Sequence, residues 1–297
     1  MKDKLRLLTE KKKKLDSLKP LTNEVLDNLE DWLKVELTYS SNAIEGNTLS
    51  RIETAEVIEK GTAAIISGKP LKDQLEAINH AKALEFIKEL AKQRKSHQFI
   101  TEDDIKSIHK IILDGILDNW AGIYRQVRVL IRGSDLEFPE ARQVPKLMSN
   151  FIKWMEGQQG EPPVRIASMA HYKFETIHPF IDGNGRVGRL LMNLILILNG
   201  YPMAIIRQET RSQYLNAFKI GQGTSDWSLL FNMIEEAVER SLDGYINAAE
   251  GKAIFPALLG ESAKIEKKLL KIGELAKAAG ESVPTIRYWT KEGLLKA

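Results

Sequence analysis

Apolar residues along most of this chain recur every three or four positions, the spacing that gathers them on one face of an α-helix. Ile105, Ile108 and Ile112 form one such stripe, and Ile166, Ala170, Phe174 and Ile177 form a second. Val187, Leu190, Leu191, Leu194 and Leu198 form a third, which "NGYP" (Asn199–Pro202) closes with the Gly and Pro that stop a helix. "SRIE" (Ser50–Glu53) and "TEDD" (Thr101–Asp104) place Ser or Thr three residues before an acid, the capping-box form of a helix start. The pattern predicts an all-α protein. One stretch departs from it: "QVRVLIRGSDLEF" (Gln126–Phe138) is rich in β-branched residues around a "GSD" turn and predicts a short β-hairpin. "GKAIFPALLGE" (Gly251–Glu261) has no clear period and reads as a linker to a small C-terminal unit.

Composition narrows the class. The 297 residues are 43% apolar and 28% charged, enough for a sizeable core and against disorder. Cysteine is absent, which removes disulfides and Cys-based zinc sites. No apolar run reaches the roughly 18 residues that span a bilayer, and the start lacks a signal-peptide h-region, so a cytoplasmic protein without membrane contact is expected. The net charge of +3 is uneven. Residues 1–20 hold eight Lys/Arg against three acids, and residues 264–297 hold eight against four. The lysine run at 11–14 reads first as a solvated helix face and second as a nucleic-acid contact.

The candidate chemistry lies in "HPFIDGNGRVGRL" (His178–Leu190), a glycine-rich turn between two helical stripes. Pro179 stops the first helix and biases His178 away from helical dihedrals. Gly183 and Gly185 permit a backbone that turns successive N–H groups inward, and a helix starting near Arg186 aims its positive end at the same spot. Such a nest binds anions. Arg186 and Arg189, three apart, share a helix face and together can reach an anion larger than one phosphate. Asp182 suits a divalent cation bridging phosphate oxygens, and His178 is a candidate general base. Other readings stay open at this point. Gly183–Gly188 satisfies the G-x-G-x-x-G fingerprint, with Glu209 about twenty residues on, but the residues before it have helical rather than strand period. His171, His178 and Asp182 could ligate a metal directly, although His171 alone reads as a packed core histidine. A plain helix corner would not need Arg, Asp, Asn and His together.

The run His178-Pro-Phe-Ile-Asp182-Gly183-Asn184-Gly185-Arg186-Val-Gly-Arg189 resembles the H-x-F-x-[DE]-G-N-G-R-x-x-R signature of the Fic family at every fixed position. The resemblance runs from "AGIYRQVRV" (Ala121–Val129) to about residue 240. It implies a Fic-type helical bundle with a β-hairpin flap, and a protein adenylyltransferase that moves AMP from ATP to a Ser, Thr or Tyr hydroxyl. By the same resemblance His178 is the base, Asp182 holds Mg²⁺, and the amides and side chain around Gly183, Asn184 and Gly185 bind the α-phosphate. Arg186 takes the β-phosphate and Arg189 the γ-phosphate. Phe180 anchors the loop, and the flap at Arg128–Phe138 aligns the target protein by strand addition. Tyr214 is a candidate for the adenine pocket, with core packing as the equal alternative. "SSNAIEGN" (Ser40–Asn47) alone reads as a helix C-terminus with Gly46 just beyond it. Beside the signature, Ser41 and Glu45 resemble the inhibitory [ST]-x-x-x-E-[GN] motif, with Glu45 paired to Arg189 in place of the γ-phosphate.

The organisation that follows is an N-terminal helical region carrying the inhibitory helix (1–98), a Fic catalytic core (99–250), a linker (251–263) and a winged-helix-like segment (264–297). "KIGELAKAAGESVPTIRYWTKEGLLKA" (Lys271–Ala297) resembles the helix-turn-helix of MerR-type regulators, with Thr285, Arg287 and Lys291 toward DNA. Packing or protein contact is the equal alternative for this segment. A different class of function, a DNA-binding regulator whose Fic site is idle or senses nucleotide, remains as the rival, as does another donor or the reverse reaction. Self-modification and a homodimer are further expectations.

Overall fold

The computed structural model describes residues 2–18, 23–94, 96–129 and 137–252, together with residues 282, 285 and 289. Ten α-helices appear among them: α1 (Lys2–Ser17), α2 (Asn23–Ile44), α3 (Arg51–Lys60), α4 (Leu71–Gln93), α5 (Glu102–Leu113), α6 (Val144–Glu156), α7 (Pro163–Ile177), α8 (Asn184–Leu198), α9 (Arg211–Thr224) and α10 (Ser228–Ala249). No strand occurs among the described residues. Both expected capping boxes form. Ser50 caps α3 with Glu53 answering, and Thr101 caps α5 with Asp104 answering.

The three apolar stripes become the centre of the molecule. Ile105, Ile108 and Ile112 are fully buried on α5, and Ile166, Ala170 and Phe174 line the inner face of α7. Every residue from Arg186 to Leu196 on α8 is buried, the all-round burial of a central helix. Only Leu198, the last of its stripe, stays partly exposed. α7 packs along α8, and α4 and α5 close on the other flanks. α2 reaches the same helix from the N-terminal region. Residues of α1, α2 and α4 join the apolar core of residues 99–250, while Leu49, Val57, Ala64, Ile66, Ala77 and Ile78 form a smaller cluster beside it.

Contacts divide the chain into two compact units, 1–258 and 259–297. In the first, the lysine run is only partly the solvated face expected of it: Lys13 and Lys14 are exposed, while Lys11 and Lys12 are half-buried in ion pairs. Leu8 and Leu15 turn α1 onto the core, Lys11 pairs with Glu239 and Asp243 at 2.7 Å, and Lys14 pairs with Glu250 at 2.6 Å. α10 carries these acids at the spacing that receives the lysines. In the second unit most of the expected helix-turn-helix lies outside the described residues. Thr285 is buried rather than presented, and its N–H donates to Ser282 Oγ at 3.3 Å.

The body of the expected hairpin, residues 130–136, also lies outside the described residues. Its two ends are close together and not in strand conformation: Arg128 and Glu137 approach to 3.8 Å. Arg125, itself only 2% exposed, donates to Val127 O at 3.1 Å and Pro139 O at 2.5 Å, so one buried guanidinium ties both feet of the segment.

Candidate active site

Pro179 ends α7, and His178 becomes its terminal residue in the left-handed region, φ 49° and ψ 61°. That departs from the extended conformation usual before proline, and the contacts show what holds it. The His178 N–H donates to Phe174 O at 2.9 Å, Arg125 Nε donates to the His178 carbonyl at 2.8 Å, and the Arg125 N–H donates to Pro179 O at 2.9 Å. Phe138 stacks on the imidazole with ring centroids 4.2 Å apart.

Phe180 anchors the loop as expected. It is fully buried, stacked 3.6 Å from His109 and nearly parallel to it. His109 Nδ1 accepts the Gly122 N–H at 2.9 Å, so its Nε2 is the donor to the Asp182 carbonyl at 3.0 Å. Burial lowers the His109 pKa to about 4, which keeps that tautomer neutral. Asn184 closes the turn from inside. Its carboxamide accepts the Phe180 N–H and donates to the Phe180 carbonyl, both at 2.9 Å. The side chain is thereby committed to the loop's own backbone, and only the Asn184 amide is left for a ligand.

α8 starts at Asn184, two residues earlier than the sequence suggested, with Gly183 as its N-cap. Gly183 has φ 76°, the left-handed turn that glycine adopts without strain. Gly185 is helical, and its importance is close approach: a Cβ there would stand 2.2 Å from Glu45 Oε1. The first internal bond of α8 is Val187 N–H to Gly183 O, at 3.0 Å. The amides of Asn184, Gly185 and Arg186 precede it, at the positive end of the helix.

Arg186 and Arg189 are both buried, and both already hold carboxylates from the N-terminal region. Arg189 Nη2 donates to Glu45 Oε1 at 2.7 Å and to the Ser41 carbonyl at 2.8 Å, while its Nε donates to Ser41 Oγ at 3.0 Å. Burial opposes the Arg189 charge, but the Glu45 carboxylate and the Tyr214 hydroxyl together outweigh it and raise the pKa. Arg186 Nη1 lies 3.0 Å from Glu76 Oε1 on α4, an ion pair without hydrogen-bond alignment, and its Nη2 is 3.5 Å from Asp182 Oδ1. Gly46, with φ 97°, ends α2 just after Glu45.

Asp182 is the most open of these groups, with a side chain 39% exposed. Oδ1 accepts the Gly183 N–H at 2.6 Å, and Oδ2 has Lys72 Nζ at 3.9 Å. One accessible carboxylate completed by phosphate oxygens and water is a donor set that fits Mg²⁺. Direct metal binding by His171, His178 and Asp182 does not fit. Among the described residues no three His, Asp or Glu side chains converge to hold an ion. His171 instead is a buried core histidine, its Nε2 2.6 Å from Tyr214 Oη. Tyr214 is 2% exposed beneath the loop, which is the packing alternative of its two readings. The dinucleotide fingerprint fails on its required strand, since α7 precedes the glycines, and Glu209 pairs with Arg51 at 3.0 Å.

Three residues of the site were not singled out in the sequence. Arg125 ties the flap's feet to His178, Glu76 faces Arg186, and Glu175 Oε2 lies 3.6 Å from His178 Nδ1. Only Glu175 left a signal, three residues before the histidine on one helix face.

A Fic/DOC family model matches residues 99–196, and a MerR family regulatory protein model matches residues 271–297. Protein adenylyltransferase Fic of Aedes aegypti is 34% identical over 227 residues, covering 76% of this chain and 44% of that protein. The chain spans half or less of the length of the curated relatives it matches, 44%, 41% and 48% for three of them. A Fic domain containing signaling protein from Bacteroides thetaiotaomicron superposes with a TM-score of 0.75 at 31% identity, covering 84% of this chain and 99% of that one. Fic-1 from C. elegans superposes at 0.72 with 28% identity, covering 83% of this chain and 71% of that one. With the signature loop, the helical core and this near-complete match agreeing, the chain belongs to the Fic/DOC family.

Proposed function

We propose that this protein is an adenylyltransferase that moves AMP from ATP to a hydroxyl of a target protein and is restrained by Glu45. The observation that carries the reading is the pair of buried arginines behind the open first turn of α8, one of them already gripping a carboxylate that packs against Gly185. An anion thus sits where the sequence places phosphate. The named activity of the Aedes aegypti relative supports the same chemistry.

His178 removes the proton from the target Ser, Thr or Tyr. The freed oxygen attacks the α-phosphorus in line, the bond to the bridging oxygen breaks, and pyrophosphate leaves. Negative charge growing on the α-phosphate meets the amides of Asn184, Gly185 and Arg186 beside Gly183 at the helix N-terminus. Arg186 and Arg189 hold the β- and γ-phosphates, and each must exchange a protein carboxylate for phosphate when ATP enters. Asp182 would hold Mg²⁺, which when bound neutralises phosphate oxygens. The segment at Arg128–Phe138, with Phe138 on the imidazole, presents the target.

Transfer of label from α-³²P-ATP to protein, with a His178→Ala control, tests the reading. Label that survives in His178→Ala, or none with Glu45→Gly protein and lysate, counts against it. Competition by unlabelled nucleotides reports on the donor. The MerR match supports a second, separate reading for residues 264–297, contact with DNA. Salt-sensitive duplex binding by the full chain is its test. Among the described residues no helix is long and apolar enough to cross a membrane.

A further inference from the structure

We propose that Glu175 is the positioning residue of His178: its carboxylate takes the imidazole Nδ1–H and leaves Nε2 as the bare nitrogen that accepts the hydroxyl proton. The substrate hydroxyl rests on the transferase reading above, whereas the tautomer stands on this geometry alone.

The two residues are three apart on one face of α7, and their side chains are 12% and 13% exposed. Almost everything else about the histidine is already fixed. Phe174 holds its N–H, Arg125 holds its carbonyl, and Phe138 covers one face of the ring. What remains is which ring atom faces the carboxylate, and the structure turns Nδ1 to Glu175 Oε2 at 3.6 Å. That nitrogen is buried and has no hydrogen-bond partner. The separation is longer than a hydrogen bond and closes with a small rotation, as catalytic contacts do when substrate binds.

The carboxylate is kept charged by its surroundings. His171 and His178 face it from its own helix and Arg189 from α8. Behind these stand Tyr214 of α9, on His171, and Glu45 of α2, on Arg189. Burial opposes ionisation of Glu175, but its contact with His178 and the nearby Arg189 guanidinium hold its pKa below the ordinary carboxylate value. His171 does not compete as a cation, because burial lowers its pKa to about 4. An anion fixed at Nδ1 selects the Nδ1–H tautomer and stabilises the imidazolium formed once Nε2 has taken the proton.

The test uses full-length, nucleotide-free protein labelled with ¹⁵N-histidine, with the His178 resonances assigned by their loss in His178→Ala. Neutral His178 is expected as the Nδ1–H tautomer. In Glu175→Gln that preference should weaken, since a carboxamide can donate to Nδ1 as well as accept from it. In a Glu45→Gly background the same substitution should lower kcat about 10- to 100-fold with little change in KM for ATP. An Nε2–H tautomer in protein retaining Glu175 overturns the proposal, and so does a tautomer preference unchanged by Glu175→Gln, even if the rate falls. Should Glu175→Gln not fold, the tautomer in the unsubstituted chain decides. Absence of any AMP transfer would defeat the transferase reading while leaving these resonances to judge Glu175 separately.

Discussion

Arg189 Nη2 lies 2.7 Å from Glu45 Oε1, and the same guanidinium takes both the hydroxyl and the carbonyl of Ser41. One arginine is thus held by three oxygens from the last turn of α2 and the residue just beyond it. Contacts of unequal strength predict unequal release. The Glu45 carboxylate is 38% exposed, so solvent screens it, and about 1.5 kcal/mol is a fair net value for the charged contact. Glu45→Gly is therefore expected to raise AMP transfer by about tenfold. Ser41→Ala removes one neutral acceptor and keeps the carbonyl, so about a threefold rise follows. Initial rates of label incorporation check the order. A Ser41→Ala protein faster than Glu45→Gly, or a Glu45→Gly protein no faster than the parent, would remove Glu45 from the role of brake.

Gly188 carries a second, independent expectation. It has helical dihedrals, so no turn explains it. A Cβ there would stand 2.3 Å from Glu175 Oε1 and 2.9 Å from His171 Nδ1. Glu175 meets it with the far end of a flexible side chain that can swing aside, but His171 is a rigid, fully buried ring with little freedom to withdraw. Gly188→Ala should destabilise the fold by about 1–3 kcal/mol through overpacking, despite alanine's better helix propensity. Chemical denaturation measures it, and a stabilised variant would show that α7 and α8 are not so closely apposed.

These cases show what the sequence could and could not reveal. Periodicity placed Ile105, Ile108 and Ile112 and the α7 and α8 stripes correctly, because burial on one helix face leaves a regular spacing. The loop was legible because Gly183, Asp182, Arg186 and Arg189 are of unusual type at close range. Arg125 and Glu76 were not. Each reaches its partner from another helix or loop, over 53 and 110 positions, and an isolated Arg or Glu looks like any surface charge. The Asn184 side chain misled for the opposite reason. Its place beside two glycines suggested ligand contact, while its geometry closes the turn on Phe180. Lys11 read as solvated because the acids it meets on α10 lie more than two hundred residues later.

Three buried histidines make stability depend on pH in a direction that can be worked out. Burial first, with nearby arginines for His80, lowers its pKa to about 3 and those of His109 and His171 to about 4. In the unfolded chain each titrates near 6.5. Between these values the unfolded state takes up protons that the folded state refuses, so acid favours unfolding. The stability tied to these groups is complete above about pH 6.5 and is lost as pH falls toward their folded values. At pH 5 the loss is about 2 kcal/mol per histidine. Melting followed by circular dichroism should show Tm falling by roughly 10 °C between pH 7 and pH 5. His80→Gln, which removes one titrating group but can keep a hydrogen bond to Thr38, should flatten that fall. A Tm that stays level across this range would mean that the three imidazoles are protonated within the fold, and the neutral His109 that steadies the Asp182 carbonyl would go with them.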